Sequence, residues 1–259
     1  MLTRLPPEEW PDLPALRQAA GQMRRLFRIA APDAPGLVLL GGEVDAGPGR
    51  PPLPCAGAGL DLESAFAACV GEALERASQV PDGTEAVTLG PLPAEAEAVA
   101  PGVEGPWLPA RRLPDGAPGF VPAALCLRGV GPVTRPLSIG CAAGETMAAA
   151  ELSGLLECIE RDAAALWWQG GAPARAVAPE DAAPAWALAG RARQGRGGRH
   201  SRLLDITSDL GVPVVAAISV PVQGDGFVCG LGCRPTLAEA ACAAMRELLQ
   251  GEVGLHLVP

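Results

Sequence analysis

With 259 residues, 49% of them hydrophobic and 19% charged, the chain can bury a sizeable core, which excludes a disordered or fibrous protein. Acidic residues outnumber basic ones 29 to 20, a net charge of −9, and phosphate binding needs the opposite surplus, so no nucleic-acid partner is expected. No apolar run approaches the roughly 18 residues of a membrane span, and Lys, Asn and Tyr are absent, which excludes a P-loop or Schiff-base Lys, a Tyr acid and an N-glycosylation site.

The opening MLTRLPPEEW carries acids where a signal peptide would be apolar, so a cytoplasmic chain is expected, with no membrane partner. Leu13 to Ile29 has the spacing of an amphipathic helix with Arg17, Arg24, Arg25 and Arg28 on a solvated face. Gly36 to Gly41 (GLVLLG) reads as a buried strand, followed by a Pro/Gly-rich loop at 47–59. Asp61 to Gln79 is periodic like a helix capped by Asp61. Residues 81–119, rich in Pro, Gly and acids, predict a loop-rich connection, and Val121 to Val130 predicts a strand.

A loop at Gly140 to Gly144 leads to a long helix from Thr146, its N-cap, to about Trp168. Residues 170–202 predict a second loop-rich connection. In it Arg191, Arg193, Arg196, Arg199 and Arg202 form a basic cluster, either a solvated mobile segment or a landing place for an anionic ligand or acidic peptide. Three strands are predicted at Leu203 to Thr207, Pro213 to Val220 and Phe227 to Gly232. A capping box, Thr236 to Glu239, then opens a last helix to about Gln250.

The eight cysteines are scattered through apolar surroundings and read as buried thiols rather than a disulfide framework. Cys229 and Cys233 form a C-x3-C pair, but zinc needs two further ligands and His200 and His256 are the only histidines, so the pair reads as structural.

The chemistry concentrates in a repeated pattern, E-x-x-E-R, at Glu72, Glu75 and Arg76 and again at Glu157, Glu160 and Arg161. At these spacings both carboxylates and the guanidinium share one helix face. Glu247 and Gln250 form a related pair on the last helix. Either helix alone reads as a surface ion pair. Carboxylates converging from three helices, however, could hold Mg2+ on phosphate oxygens, with Arg76 and Arg161 clamping the phosphates bidentately. No Walker A loop or G-x-G-x-x-G motif is present, so a nucleotide site would be of another kind.

These segments resemble the YcaO-domain family. LSIGCAAGETMAAAELSGLLECIERDA (137–163) is similar to its central motif, SNG-x-A-x-G followed by LLE-x-IERDA, and GAGLDLESAFAACVGEALERAS (57–78) to its first motif. DITSDLGVPVVAAIS (205–219) resembles its D-x-T-x-D-x-G-[IV]-P-V strand and GLGCRPTLAEAACAAMRELLQ (230–250) its third motif, all collinear over about residues 55–250. The resemblance implies an α+β, YcaO-like fold with mixed or antiparallel sheet and packed helices, forming one domain over 1–259 with a divergent part at 1–54. The domain is expected to be short at its C-terminus relative to the family.

It further implies ATP and Mg2+ as cofactors and a precursor peptide as substrate. In such enzymes a Cys, Ser or Thr side chain, or external sulfide, adds to a backbone amide carbon. The oxyanion takes the γ-phosphoryl group, and loss of phosphate leaves an azoline or thioamide, as in ribosomal peptide natural-product maturation. By motif position Glu72, Glu75, Glu157, Glu160 and Glu247 are the implied metal and nucleotide ligands, supported by Arg76, Arg161 and Gln250, with no residue assignable as a catalytic nucleophile. Ala68, Ala58 and Ile139 stand where the family has Ser, Lys and Asn. Two expectations follow: an active peptide-modifying enzyme helped by a partner encoded nearby, or a catalytically silent subunit that binds a peptide or an active partner. The first is favoured by the retained carboxylates, and a homo-oligomer stays open.

Overall fold

Each half of the main body repeats one plan, strand, helix, three strands, helix. In the first half these are β1 (Leu2–Arg4), α1 (Pro14–Ala20), β2 (Arg25–Ile29), β3 (Val38–Val44), β4 (Leu53–Gly59) and α2 (Leu62–Ser78). The second half runs β7 (Arg175–Ala176), α5 (Pro179–Arg193), β8 (Arg199–Asp205), β9 (Val214–Pro221), β10 (Val228–Cys233) and α6 (Leu237–Gly254). Between them lie β5 (Trp107–Arg111), β6 (Pro118–Pro122), α3 (Ala123–Cys126) and α4 (Met147–Trp168). This computed structural model describes residues 1–85, 87–89, 105–113, 115–130, 138–196, 198–223 and 226–256.

The chain divides into two compact units, one of Met1–Asp45, Pro52–Leu74 and Ile139–Pro259, the other of Ala46–Pro51 and Glu75–Ser138. In the first unit both sheets are antiparallel, ordered β1-β2-β3-β4 and β10-β9-β8-β7, so β4 and β10 are edge strands. Leu39 and Ala58 on one face of the first sheet share a core with α5, α6 and Val215, Ala217 and Val228 of the second. The other face of the first sheet packs Leu26, Leu40 and Cys55 against Phe66 and Val70 of α2. The far face of the second sheet packs Val214, Ala216 and Cys233 against Ala163, Leu156 and Ile159 of α4. The second unit holds the β5–β6 hairpin and α3, with the Arg128 guanidinium donating to buried Gln79 Oε1 at 2.7 and 3.1 Å.

The repeat is written in the side chains. Glu72 follows Ala56 by sixteen residues and Glu247 follows Leu231 by sixteen, and in both copies the carboxylate accepts that residue's N–H. At matching positions stand Gly57 and Gly232, the caps Asp61 and Thr236, Leu62 and Leu237, and Ala65 and Ala240. The glycines let each helix lie directly on its edge strand. A Cβ at Gly57 would sit 2.6 Å from Ala65 O, and one at Gly232 would sit 2.6 Å from Ala244 N, both backbone atoms that cannot swing aside. Gly57→Ala and Gly232→Ala are each expected to cost about 1–3 kcal/mol in urea unfolding by overpacking. Gly71→Ala, on α2 with open space around it, is expected to be neutral or stabilising by up to about 1 kcal/mol.

Three helices and four strands lie where the sequence places them, to within a few residues at their ends. Asp61 Oδ1 accepts from Ser64 N at 2.7 Å, Thr146 caps α4, and Thr236 and Glu239 form the capping box of α6. Elsewhere the structure corrects the sequence reading. The expected helix over 13–29 stops at Ala20. After the turn that begins at Gly21 the chain becomes β2, and Arg17 is no solvated face, since it donates to Trp10 O at 2.6 Å and Pro7 O at 3.1 Å. The 47–59 loop contains β4, whose small residues carry no β-branched signal yet are what α2 needs beneath it.

The strand expected over 121–130 ends at Pro122, and α3 follows. The loop-rich 81–119 holds β5 and the start of β6, while its stretch 90–104 lies outside the described residues. In 170–202 stands α5, begun by Pro179 with Glu180 and Asp181 in its first turn, and buried through Ala182, Ala185, Ala189 and Ala192. Alanine spaced at three and four residues is an apolar stripe too thin to stand out among so many alanines.

Candidate functional site

An edge strand leaves backbone N–H groups without a ladder partner. In each half the helix following the edge strand answers one of them with a carboxylate: Glu72 Oε2 accepts from Ala56 N at 2.7 Å, and Glu247 Oε2 from Leu231 N at 2.8 Å. The second half adds α4, which crosses the same face of its sheet that Cys233 lines. Glu157 Oε2 accepts from Gly140 N at 3.1 Å, and Arg161 lies 3.6 Å from both Glu157 and Glu160. The loop can approach so closely because Gly140 has φ +84° and because Gly154 beneath it has no side chain to meet Gly140 O.

Glu160 is 8% exposed. Burial pushes its carboxyl up to about 7, with Arg161 and Arg234 and the Cys233 backbone N–H pulling it back and Glu247 adding to the rise. Glu247 retains solvent contact at its surface, but crowding by protein also raises its carboxyl. The Leu231 N–H and Arg161 oppose that rise and Glu157 adds to it. Glu157, Glu160, Glu247, Arg161 and Arg234 therefore feel one another's charge across α4, β10 and α6. Arg234, which also donates to Cys233 O at 2.6 Å, was not singled out from the sequence. Its only signal is its place directly after the glycine-rich strand in GLGCRP.

Of the other residues implied by the motifs, Gln250 stands half-buried on α6 one turn beyond Glu247, and Glu72 is held at the β4 edge. The unit boundary falls after Leu74, so Glu75 and Arg76, both half-buried, belong to the second unit. Burial, with the Glu247 and Glu160 charges beside them, pushes the Cys229 and Cys233 thiols up to about 11, so both stay protonated at neutral pH and neither is a ready nucleophile. Ala58 is buried against α6, with no room for a long cation, whereas Ala68 and Ile139 face solvent.

The arginine cluster is not the exposed patch expected. Arg193 and Arg199 are half-buried against Glu252, at 2.7 and 3.4 Å, and only Arg191, Arg196 and Arg202 of the cluster are exposed.

Among the described residues no three Asp, Glu, His or Cys side chains are gathered tightly enough to hold a metal ion by themselves. The donor set is all hard oxygen, which suits Mg2+, an ion that keeps waters and shares a few carboxylates with substrate phosphates. Arg161 and Arg234 supply the matching positive charge for phosphate oxygens. No helix among the described residues is long and apolar enough to cross a membrane.

Comparison with known proteins identifies the fold. The fold superposes on the YcaO protein from Methanopyrus kandleri bound with AMPPCP and Mg2+, with a TM-score of 0.75 and 21% identity over 98% of this chain and 70% of that one. It also superposes on a heterocyclase in complex with substrate and cofactor, with a TM-score of 0.77 and 22% identity over 93% of this chain and 40% of that one. A Rhizobium leguminosarum bv. trifolii protein named for its place in the tfuA 3′ region is 31% identical over 228 residues, 76% of this chain. The chain spans about half (54%) the length of that relative. Residues 56–257 match the family described as YcaO cyclodehydratase, ATP- and Mg2+-binding, and the chain belongs to the YcaO family.

Proposed function

We propose that the chain activates a backbone amide of a precursor peptide in a Mg2+- and ATP-dependent reaction that leads to an azoline or a thioamide. The observation that carries this reading is the gathering of Glu157, Glu160, Glu247, Arg161 and Arg234 at the edge of β10. Glu157, Glu160 and Glu247, with Glu72 by motif position, would hold Mg2+, and Arg161 and Gln250 would orient the nucleotide. Bound there, Mg–ATP supplies the phosphoryl group that turns an amide oxygen into a leaving group. The chain's own contribution is positioning and charge: Arg161 neutralises phosphate oxygens, and the Leu231 and Gly140 N–H groups fix the carboxylate rotamers of Glu247 and Glu157.

The test is thermal unfolding with ADP, with and without Mg2+. At a hundred times its dissociation constant the nucleotide is expected to add about 2.7 kcal/mol, and only with Mg2+ present. No Mg2+-dependent shift at millimolar ADP would favour the reading as a silent, peptide- or partner-binding subunit. The observation on that side is Ile139, 46% exposed beside Gly140, which offers a nucleotide no hydrogen bond. A helper protein is part of the proposal. The Rhizobium relative is named for the tfuA 3′ region, so the product of a tfuA-like neighbouring gene is the first partner to add to the assay.

A further inference from the structure

The DITSDLGVP segment, singled out by its motif, contributes nothing to the carboxylate cluster. Its polar groups bond within the segment itself. Asp205 Oδ1 accepts from Thr207 N at 3.0 Å and from the Thr207 hydroxyl at 2.6 Å, and Thr207 Oγ1 in turn accepts from Val214 N at 3.1 Å. Gly211, at φ +71°, donates to Ser208 O at 3.1 Å, Ile206 N to Val214 O at 2.9 Å, and Arg234 N to Pro213 O at 3.2 Å. The result is a braced wall, and it closes one side of a cavity of about 550 Å³ whose other sides are the C-terminal half of α4 and the start of α6.

The apolar part of the lining is Ala163, Ile206, Pro213 and Leu237 with the exposed Leu166, while Asp205, Thr207 and Ser208 line the cavity as well and Arg175 and Asp209 are exposed residues of it. It adjoins the carboxylates. Ala163 lies three residues beyond Glu160 on α4, about 4.5 Å along the axis, and Ala163 and Ile206 pack with Cys233, whose backbone N–H faces Glu160. An extended peptide advances about 3.3–3.6 Å per residue. A side chain seated in the cavity therefore leaves an adjoining amide within a residue or two of the cluster.

We propose that this cavity is the subsite for a large apolar side chain, leucine or phenylalanine in kind, of the peptide whose amide is activated. The inference rests on the amide-activating reading above and adds to it a preference for sequence around the modified position. Asp205, Thr207 and Ser208 are engaged in hydrogen bonds within their own segment, so the apolar part of the lining decides the preference, and an aliphatic or aromatic side chain gains there by burial. The wall is held in place before anything binds, so little ordering cost opposes the gain.

The probes are N-acetyl-glycinamide, N-acetyl-leucinamide and N-acetyl-phenylalaninamide, each a single residue flanked by amides, titrated into the full chain and followed by NMR chemical shifts. The leucine and phenylalanine compounds are expected to bind at least about tenfold more tightly than the glycine compound. Leu166→Glu and Pro173→Trp, both at exposed lining positions, should each abolish that preference while leaving Mg2+-dependent ADP binding within about twofold. Equal binding of the three compounds, or a preference that survives both variants, overturns the subsite. If ADP does not bind but the preference and its loss in the variants are seen, the cavity stands and the nucleotide reading fails.

Discussion

Glu160→Gln is expected to abolish Mg2+-dependent nucleotide binding and, at the same time, to make the nucleotide-free chain more stable by about 3 kcal/mol at pH 8. Both follow from one fact, a carboxyl buried at 8% exposure whose proton is held up to about 7 when the ordinary value is 4.5. The folded state holds this proton more tightly than the unfolded state. The stabilisation from protonation is therefore complete below about pH 4.5 and is lost as pH rises through about 7. At pH 8 the folded chain carries a buried negative charge beside Glu247, and Gln removes it while keeping an oxygen for the Cys233 N–H. Arg161 is left in solvent contact, so its loss of a partner costs little.

Urea unfolding of both chains at pH 5 and pH 8 checks this, the difference between them cancelling the surface groups that titrate in the opposite sense, Asp61, Asp82 and Asp115. Glu157→Gln, at a more open position, should change apo stability by no more than about 0.5 kcal/mol yet lose nucleotide binding equally. If Glu160→Gln retains Mg–ADP binding, the β10 cluster is not the metal site.

The helices that bear the glutamates were legible because caps and periodicity are local. Asp61, Thr146 and Thr236 announce their helices, and E-x-x-E-R fixes which side chains share a face. The meeting of Glu160 with Glu247 was not legible, because it depends on two helices lying against the same edge strand and on that strand being an edge at all. The repeat of Ala56 and Glu72 in Leu231 and Glu247 was in the sequence, spaced by sixteen in each copy. It is masked because β4, made of Leu, Pro, Cys, Ala and Gly, does not look like a strand. The cluster at 191–202 misleads for the opposite reason. A run of arginines in an acidic chain looks like a surface, and only the fold reveals that Glu252, more than fifty residues from Arg193 and Arg199, sits between two of them.

Glu252→Ala is therefore expected to be among the most damaging substitutions in the chain, costing about 3–5 kcal/mol. Glu252 is 6% exposed, and it is the anion shared by two guanidiniums that are themselves largely buried. Around them Arg193 donates to Ser201 Oγ at 3.0 Å, and Arg199 to Ser219 Oγ at 2.9 Å and to the carbonyls of Ser219 and Gly226. Arg193 Nε already lacks an acceptor, so the network has none in reserve. Removing the carboxylate leaves two buried positive charges facing each other between α5, α6 and the second sheet, and the melting temperature should fall by about 10 °C. Reversing charge at Arg193, Arg196 and Arg199 together should prevent folding rather than weaken an association in a salt-dependent way. Arg196→Glu alone, at an exposed position, should stay within about 0.5 kcal/mol. Circular dichroism melts of the single variants separate these outcomes, and a Glu252→Ala chain as stable as the parent would mean that the ion triad contributes nothing to holding α5 and α6 on the second sheet.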